Sequence, residues 1–171
     1  MKHVAKKGFT LVEILIVVII LGILAAIVIP QFTEASAEAR VSSLVTNLQT
    51  IRSQLLLYKT QHLENYPADG AGEGDVQFTA EMCTYSDKTG TTNAVALPAA
   101  VPPVIYGPYL RNVPFNPMTD IKVVVVEQDP ATVFAAPAAD GGWWFNSGTG
   151  EFRANLTATH TTIDGTLMSD L

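Results

Sequence analysis

Apolar residues follow two different patterns in the first third of the chain. From Ile14 to Ile29 there is no charged residue. With Phe9 to Val12, this makes a run of about 20 residues, which at about 1.5 Å each spans a hydrocarbon core of about 30 Å. One acid, Glu13, interrupts the run near its start. Beyond it, Val41, Leu44, Val45, Leu48, Ile51, Leu55 and Tyr58 recur at spacings of three and four, with Glu38, Arg40, Ser43, Asn47 and Gln54 on the other face. That spacing predicts an amphipathic helix over 34–58 laying one stripe against a globular body. Leu55-Leu56-Leu57 widens the stripe near its end. Together the two patterns predict one long helix from Phe9 to about residue 60, stopped by Tyr66-Pro67-Ala68-Asp69-Gly70.

The rest of the chain changes period. Val76 to Tyr85 reads as a short helix, and Ala94 to Val104 as an alanine- and proline-rich loop. Asn116-Pro117 reads as a turn. Ile121 to Glu127 holds four valines in a row and reads as a central strand. Ala131 to Ala139 is a second alanine and proline loop. Trp143-Trp144-Phe145 and Glu151 to Leu156 flank Asn146-Ser147-Gly148-Thr149-Gly150, a hairpin pattern that puts Phe152, Ala154 and Leu156 on one face. A smaller hairpin is expected around Asp164-Gly165. Helix first and strands later is the α+β arrangement. The expected fold is a long N-terminal helix packed on a small C-terminal antiparallel sheet.

The flanks of the apolar run decide what kind of membrane segment it is. The sequence Lys6-Lys7-Gly8-Phe9-Thr10-Leu11-Val12-Glu13, after a short basic leader, resembles the processing site of type IV prepilins and type II secretion pseudopilins. The resemblance is close over residues 6–40 and weakens after about residue 60. It implies a membrane peptidase that cuts after Gly8 and methylates the new amino terminus at Phe9. The cut precedes the apolar run, whereas an ordinary secretory signal is cut after its apolar segment. Leu24-Ala25-Ala26 mimics such a site, but the run continues past it. The parts expected are a leader over 1–8, a membrane and assembly helix over 9–30, an amphipathic helix over 31–62 and a globular body over 63–171. Gly107-Pro108-Tyr109-Leu110-Arg111-Asn112-Val113-Pro114 is similar to a stretch of the major pseudopilins.

Composition and charge narrow the function classes. The 171 residues hold 10 Lys and Arg against 16 acids. Lys2, Lys6 and Lys7 lie in the leader, so the mature chain is still more acidic. It repels phosphates and has no basic patch, which argues against nucleic-acid binding by this chain alone. Basic residues beside a membrane helix stay cytoplasmic, which places residues 31–171 on the periplasmic side of a bacterial inner membrane. The single cysteine, Cys83, forms no internal disulfide and reads as a small buried apolar residue. Many type IV pilins carry two cysteines near the C-terminus, so the chain departs from them there.

The chemistry implied by the resemblance is assembly. A terminal amine on Phe9 is cationic near neutral pH. Glu13, one helical turn along, pairs in the family with the terminal amine of the adjoining subunit. Each charge alone is costly to bury, and docking relieves both. The segment from Gly22 to Pro30 is expected to loosen when subunits pack, although the same residues also fit a simple proline kink. The partners implied are further copies of the chain, the prepilin peptidase, an inner-membrane assembly platform, and minor pseudopilins or pilins. No enzyme constellation emerges: His3, His62 and His160 lack metal-ligand spacing, and Ser147-Gly148 sits in a turn. No cofactor is implied, with calcium left as the one alternative. The acidic turn 69–75 matches a calcium loop only at Asp69, Glu73 and Gly74, with Ala71 and Ala80 at other ligand positions. Of Trp143 and Trp144, one is expected in the core and one partly exposed. The expected function is a subunit of a type II secretion pseudopilus, filament and membrane-anchored by turns. A type IV pilin is the alternative, then a membrane-tethered binding module that never polymerises, and last an anchored enzyme.

Overall fold

An apolar stripe at helical spacing needs a partner surface, and here it finds one in residues far along the chain. The computed structural model describes residues 8–70, 74–134, 141–157, 160–162, 166–168 and 171. Helix α1 spans Leu11–Gln61 and α2 spans Asp75–Cys83. Strands β1 (Tyr85–Ser86) and β2 (Thr92–Asn93) form a small antiparallel pair. Strands β3 (Val124–Glu127), β4 (Trp143–Asn146) and β5 (Glu151–Ala154) form a three-stranded sheet in that order. The chain divides into two units, residues 1–39 and 40–171. The α+β arrangement holds.

In the second unit, Leu44, Leu48, Ile51, Leu55 and Tyr58 of α1 are buried, as their spacing predicts. They join Phe78 and Met82 of α2 and Val124, Trp143, Phe145 and Phe152 of the sheet in one core. Removing each large side chain of this kind from water contributes about 1.5–3 kcal/mol. Leu56 and Leu57 do not widen the stripe. They are 60% and 44% exposed, because the core lies under a stripe only one residue wide at that turn.

The helix ends at Gln61, before the Tyr66 to Gly70 turn. Leu63 and Glu64 adopt left-handed backbone angles, with φ of 57° and 69°. The Glu64 N–H then donates to the Lys59 carbonyl at 3.1 Å, closing the last turn as a Schellman motif usually closed by glycine. His62, at the junction, is 1% exposed and stacks on Tyr58 with ring centroids 3.7 Å apart. Its Nδ1 lies 2.9 Å from the Tyr58 carbonyl, which can only accept, so Nδ1 carries the proton. Nε2 then accepts from Ser86 Oγ at 2.9 Å.

Burial pushes the His62 pKa below its ordinary value, against opposing contributions from the Tyr58 backbone and Asp87. The folded unit therefore prefers the neutral ring. Its contribution to stability is full above the unfolded value of about 6.5 and falls as pH drops below it, by up to about 1.4 kcal/mol per pH unit until the folded pKa is passed. Urea midpoints followed by tryptophan fluorescence should fall from pH 7 to pH 5. His62→Gln should flatten that slope, and an unchanged slope would show that other groups set it.

The sheet differs from expectation in three ways. The valine run forms only β3, which pairs with β4 alone and lies at the edge. The central strand is β4. It pairs in parallel with β3, Val124 opposite Trp143, and antiparallel with β5, Phe145 opposite Phe152. The expected hairpin is present, but the sheet as a whole is mixed. Third, Trp143 and Trp144 are both buried, at 0% and 6% exposure. The second face of β4 is covered by the chain after β3: Phe134 meets Trp144 edge-on at 5.5 Å, and Asn146 Nδ2 donates to the Asp129 and Thr132 carbonyls. Asp164 and Gly165 of the expected tail hairpin, and residues 135–139 of the second loop, lie outside the described residues. Thr161 and Leu167 do pair as an antiparallel bridge.

Gly142, entering β4, is wedged against backbone. A Cβ there would collide with the Ile121 carbonyl, while the Gly142 carbonyl accepts from Asn116 Nδ2 at 2.6 Å. The clash is with backbone, which cannot swing aside as a side-chain tip would. Gly142→Ala should cost about 3 kcal/mol, the upper part of the overpacking range, measured as a lowered urea midpoint. A loss under about 0.5 kcal/mol, the level of a neutral surface change, would show that the 121–123 segment yields.

Candidate functional site

The first described residues form a reciprocal cap. Thr10 is the residue just before α1, and Glu13 is the third residue inside it. The Thr10 backbone N–H and hydroxyl both donate to Glu13 Oε2 at 2.8 Å. The Glu13 N–H donates to Thr10 Oγ1 at 3.2 Å. Two of the donors that a helix start leaves without partners are thereby satisfied. The carboxylate is turned back toward the chain's amino-terminal end, where Phe9 is 84% exposed. The sequence reading missed Thr10. Its signal was present, since Thr10-Leu11-Val12-Glu13 has the capping-box spacing.

Past Glu13 the helix is apolar all round. Every large residue from Ile14 to Ile29 is exposed, and α1 is long and apolar enough to cross a membrane. A helix with no polar face finds its cover in lipid or in other helices. Gly22 and Pro30 both lie inside α1, which is continuous through them. A Cβ on Gly22 or on Gly8 would meet nothing within 4 Å among the described residues, so neither glycine is required by packing there. Pro30 has no N–H to offer the preceding turn. Thr33 Oγ1 donates to the Ile29 carbonyl at 3.1 Å just beyond it. The structure thus brings Thr10 and Glu13 together and leaves Gly22 and Pro30 without side-chain partners among the described residues. Residues 1–7 of the expected leader 1–8 lie outside the described residues.

The family described as the prokaryotic N-terminal methylation motif matches residues 4–29. A fimbrial protein of Pseudomonas aeruginosa is 36% identical over 110 residues, covering 54% of this chain and 68% of that protein. The chain belongs to the pilin and pseudopilin family. Type II secretion system core protein G of Pseudomonas aeruginosa is 39% identical over 72 residues, 42% of this chain and 50% of that one. Type IV major fimbrial protein FimA of Dichelobacter nodosus is 37% identical over 93 residues, 53% of this chain and 54% of that one. No solved structure gives a match. Pilins and pseudopilins are structural subunits, not enzymes. They are processed by a prepilin peptidase and self-assemble into filaments, and this chain's apolar helix fits anchoring in the inner membrane beforehand.

Elsewhere in the chain the other residues singled out serve packing. Among the described residues no group of three or more His, Cys, Asp and Glu is placed to hold a metal. Three residues of the acidic turn, Ala71, Gly72 and Glu73, lie outside the described residues. Cys83 is half-buried against the core, and burial pushes its thiol pKa up, away from reactivity. Tyr109 and Leu110, in the stretch similar to major pseudopilins, both donate backbone N–H to the Met82 carbonyl, at 2.9 and 2.8 Å. That stretch therefore closes the end of α2.

Proposed function

We propose that this chain is cut between Gly8 and Phe9, is N-methylated at Phe9, and enters a type II secretion pseudopilus through a pair between Glu13 and the terminal amine of the neighbouring subunit. The observation that carries the reading is the place of Glu13. It is the only charged residue between Lys7 and Glu34, and it stands at the start of an all-round apolar helix. Two neutral donors from Thr10 hold its carboxylate, and no cation pairs with it among the described residues. A cation delivered by a neighbour relieves the cost of both buried charges. The surrounding apolar surface supplies unspecific burial, and the pair sets the axial register.

The leader lysines retain the amino terminus in the cytoplasm and put the body in the periplasm. Gly22 weakens the helix by about 1 kcal/mol relative to alanine. Pro30 removes a hydrogen bond, so the stretch between them is where α1 loosens as subunits pack. An assembly platform in the inner membrane and minor pseudopilins complete the set of partners.

The secretion reading rests on the 107–114 stretch and the single cysteine. A type IV pilus is the second reading, favoured by one observation. The two fimbrial relatives named above match over 54% and 53% of this chain, more than the 42% matched by the secretion protein. Shearing native cells and labelling the released fraction with an antibody to residues 60–171 separates the two. Processed protein confined to the envelope, with an export defect on deletion, is the expected result. Labelled long surface fibres at native expression would make the chain a pilus subunit instead.

A further inference from the structure

The exposed Leu56 and Leu57 belong to a surface that carries no charge. On the side of α1 away from the core, Thr46, Thr50, Ser53, Leu57 and Thr60 are exposed and recur at spacings of four and three. That alternation is the 3.5-residue period of helices that pack along one another. Beside it a cavity of about 290 Å³ opens between Gln54, Leu57 and Gln61 of α1 and the 105–109 stretch, where Ile105 is 46% exposed. We propose that this face docks the same face of a second copy of the chain, so that two bodies form a symmetric pair with their α1 helices parallel and in register.

Charge is the first ground. Between Arg40 and Lys59 the one charged residue of α1 is Arg52. It is turned inward, donating to the Phe152 and Leu171 carbonyls. No charged residue lies between Lys88 and Arg111 either, the stretch that supplies the far wall of the cavity. A helix face that stays in water ordinarily carries charges. The hydroxyls are the second ground. Thr46, Thr50 and Ser53 donate to the Ser42, Thr46 and Thr50 carbonyls at 2.9, 2.8 and 2.8 Å, and Thr60 donates to the Leu57 carbonyl at 2.8 Å. These groups can leave water without losing a partner. Covering the two leucines is then favourable.

The same charge pattern selects the occupant. The chain holds 16 acids against 10 basic residues, so two copies repel each other on approach. Set against a charged face, this surface would strip water from the charges and offer them no partner. Set against itself, it opposes no charge to another and leaves the carboxylates in water at the rim. A patch that meets its own copy makes an isologous contact, which closes at two. Copies held in one bilayer meet at a raised local concentration, so a contact of modest area suffices. The contact uses no residue of the apolar segment and stands apart from the pair at Glu13.

The test uses the full chain in native membranes, with Cys83→Ala and one new cysteine at a time, oxidised with copper phenanthroline and read on non-reducing gels. Residues beside a two-fold axis face their own copies. Ser53→Cys and Leu57→Cys should therefore each give a dimer that does not extend into a ladder. Val133, beyond β3, is 72% exposed and serves as the comparison. The dimer yield should exceed that of Val133→Cys about tenfold, because a disulfide closes only where Cα atoms come within about 7 Å. Thr50→Glu sets like charges face to face and should lower the Ser53→Cys yield about tenfold, as should Thr50→Lys. Expressing the two together should restore a mixed dimer. The proposal is overturned by yields at Ser53 and Leu57 no higher than at Val133, by cross-links that form only between different positions of two copies, as in a staggered contact, or by a yield that Thr50→Glu leaves unchanged.

Discussion

Replacing Glu13 by valine should leave processing and membrane insertion intact and reduce assembled fibre to a few per cent of normal or less. The incoming subunit then buries a terminal ammonium with no carboxylate to meet it. Breaking a buried pair by removing one member costs about 3–5 kcal/mol, which is a hundredfold or more in subunit affinity. The substitution also removes the carboxylate that caps α1, worth about 1 kcal/mol at the helix start. Glu13→Gln separates the two effects, because its amide oxygen still accepts from the Thr10 N–H but carries no charge. Both variants should appear as mature-length protein in the membrane fraction and fail to cross-link into multimers. Multimers at normal levels in Glu13→Gln would mean that capping, and not charge, is what assembly requires.

Gly8→Val should abolish leader removal, so that the full-length precursor accumulates. The physical ground is that no packing among the described residues uses this glycine: a Cβ at Gly8 meets nothing within 4 Å there. What its small size serves lies outside the fold, in an enzyme that must approach the backbone on both sides of the peptide bond. Immunoblotting for the precursor, with mass spectrometry of the amino terminus, reads the result. Mature chains beginning at Phe9 in this variant would remove the cleavage assignment. A precursor that keeps its leader also has no amine at Phe9. Gly8→Val should therefore lose assembly to the same degree as Glu13→Val, and the double variant should be no worse than either, as expected for two changes that break one interaction.

How much of this was legible follows from where the determining contacts lie. The stripe on α1 was readable because its period is local: Leu44, Leu48, Ile51, Leu55 and Tyr58 declare their face through spacing alone. The β4–β5 hairpin was readable for the same reason, with strand pattern and turn residues adjacent in sequence. The edge position of β3 was not readable. A run of valines signals burial, and which strand ends up between two others is decided by the parallel pairing of Val124 with Trp143 across the intervening loop. Trp144 misled because alternation implies one exposed side, and Phe134 comes from outside the hairpin to cover it. His62 and Glu81 carried no signal either. Their partners Ser86 and Tyr58 lie 24 and 23 residues away. In the assembly segment, Gly8, Phe9 and Glu13 stood out through the resemblance of the whole segment. Thr10 went unread although its spacing to Glu13 is local.

The partners of the α1 stripe have a consequence for the order of events in synthesis. Arg52 donates through Nε and Nη2 to the Phe152 carbonyl, at 3.0 and 2.8 Å, across 100 residues of chain. Trp143, Phe145 and Phe152, which cover the buried stripe, lie equally far downstream. Contacts so distant in sequence form late, because the intervening loop must close before they contribute anything. The apolar helix is made first, while the residues that will cover Leu44 to Tyr58 are still to come. The nascent chain therefore passes through a coreless stage, with a greasy helical stripe facing water. Any change that slows the arrival of β4 and β5 prolongs that stage, and quality-control proteases then compete with folding for every chain.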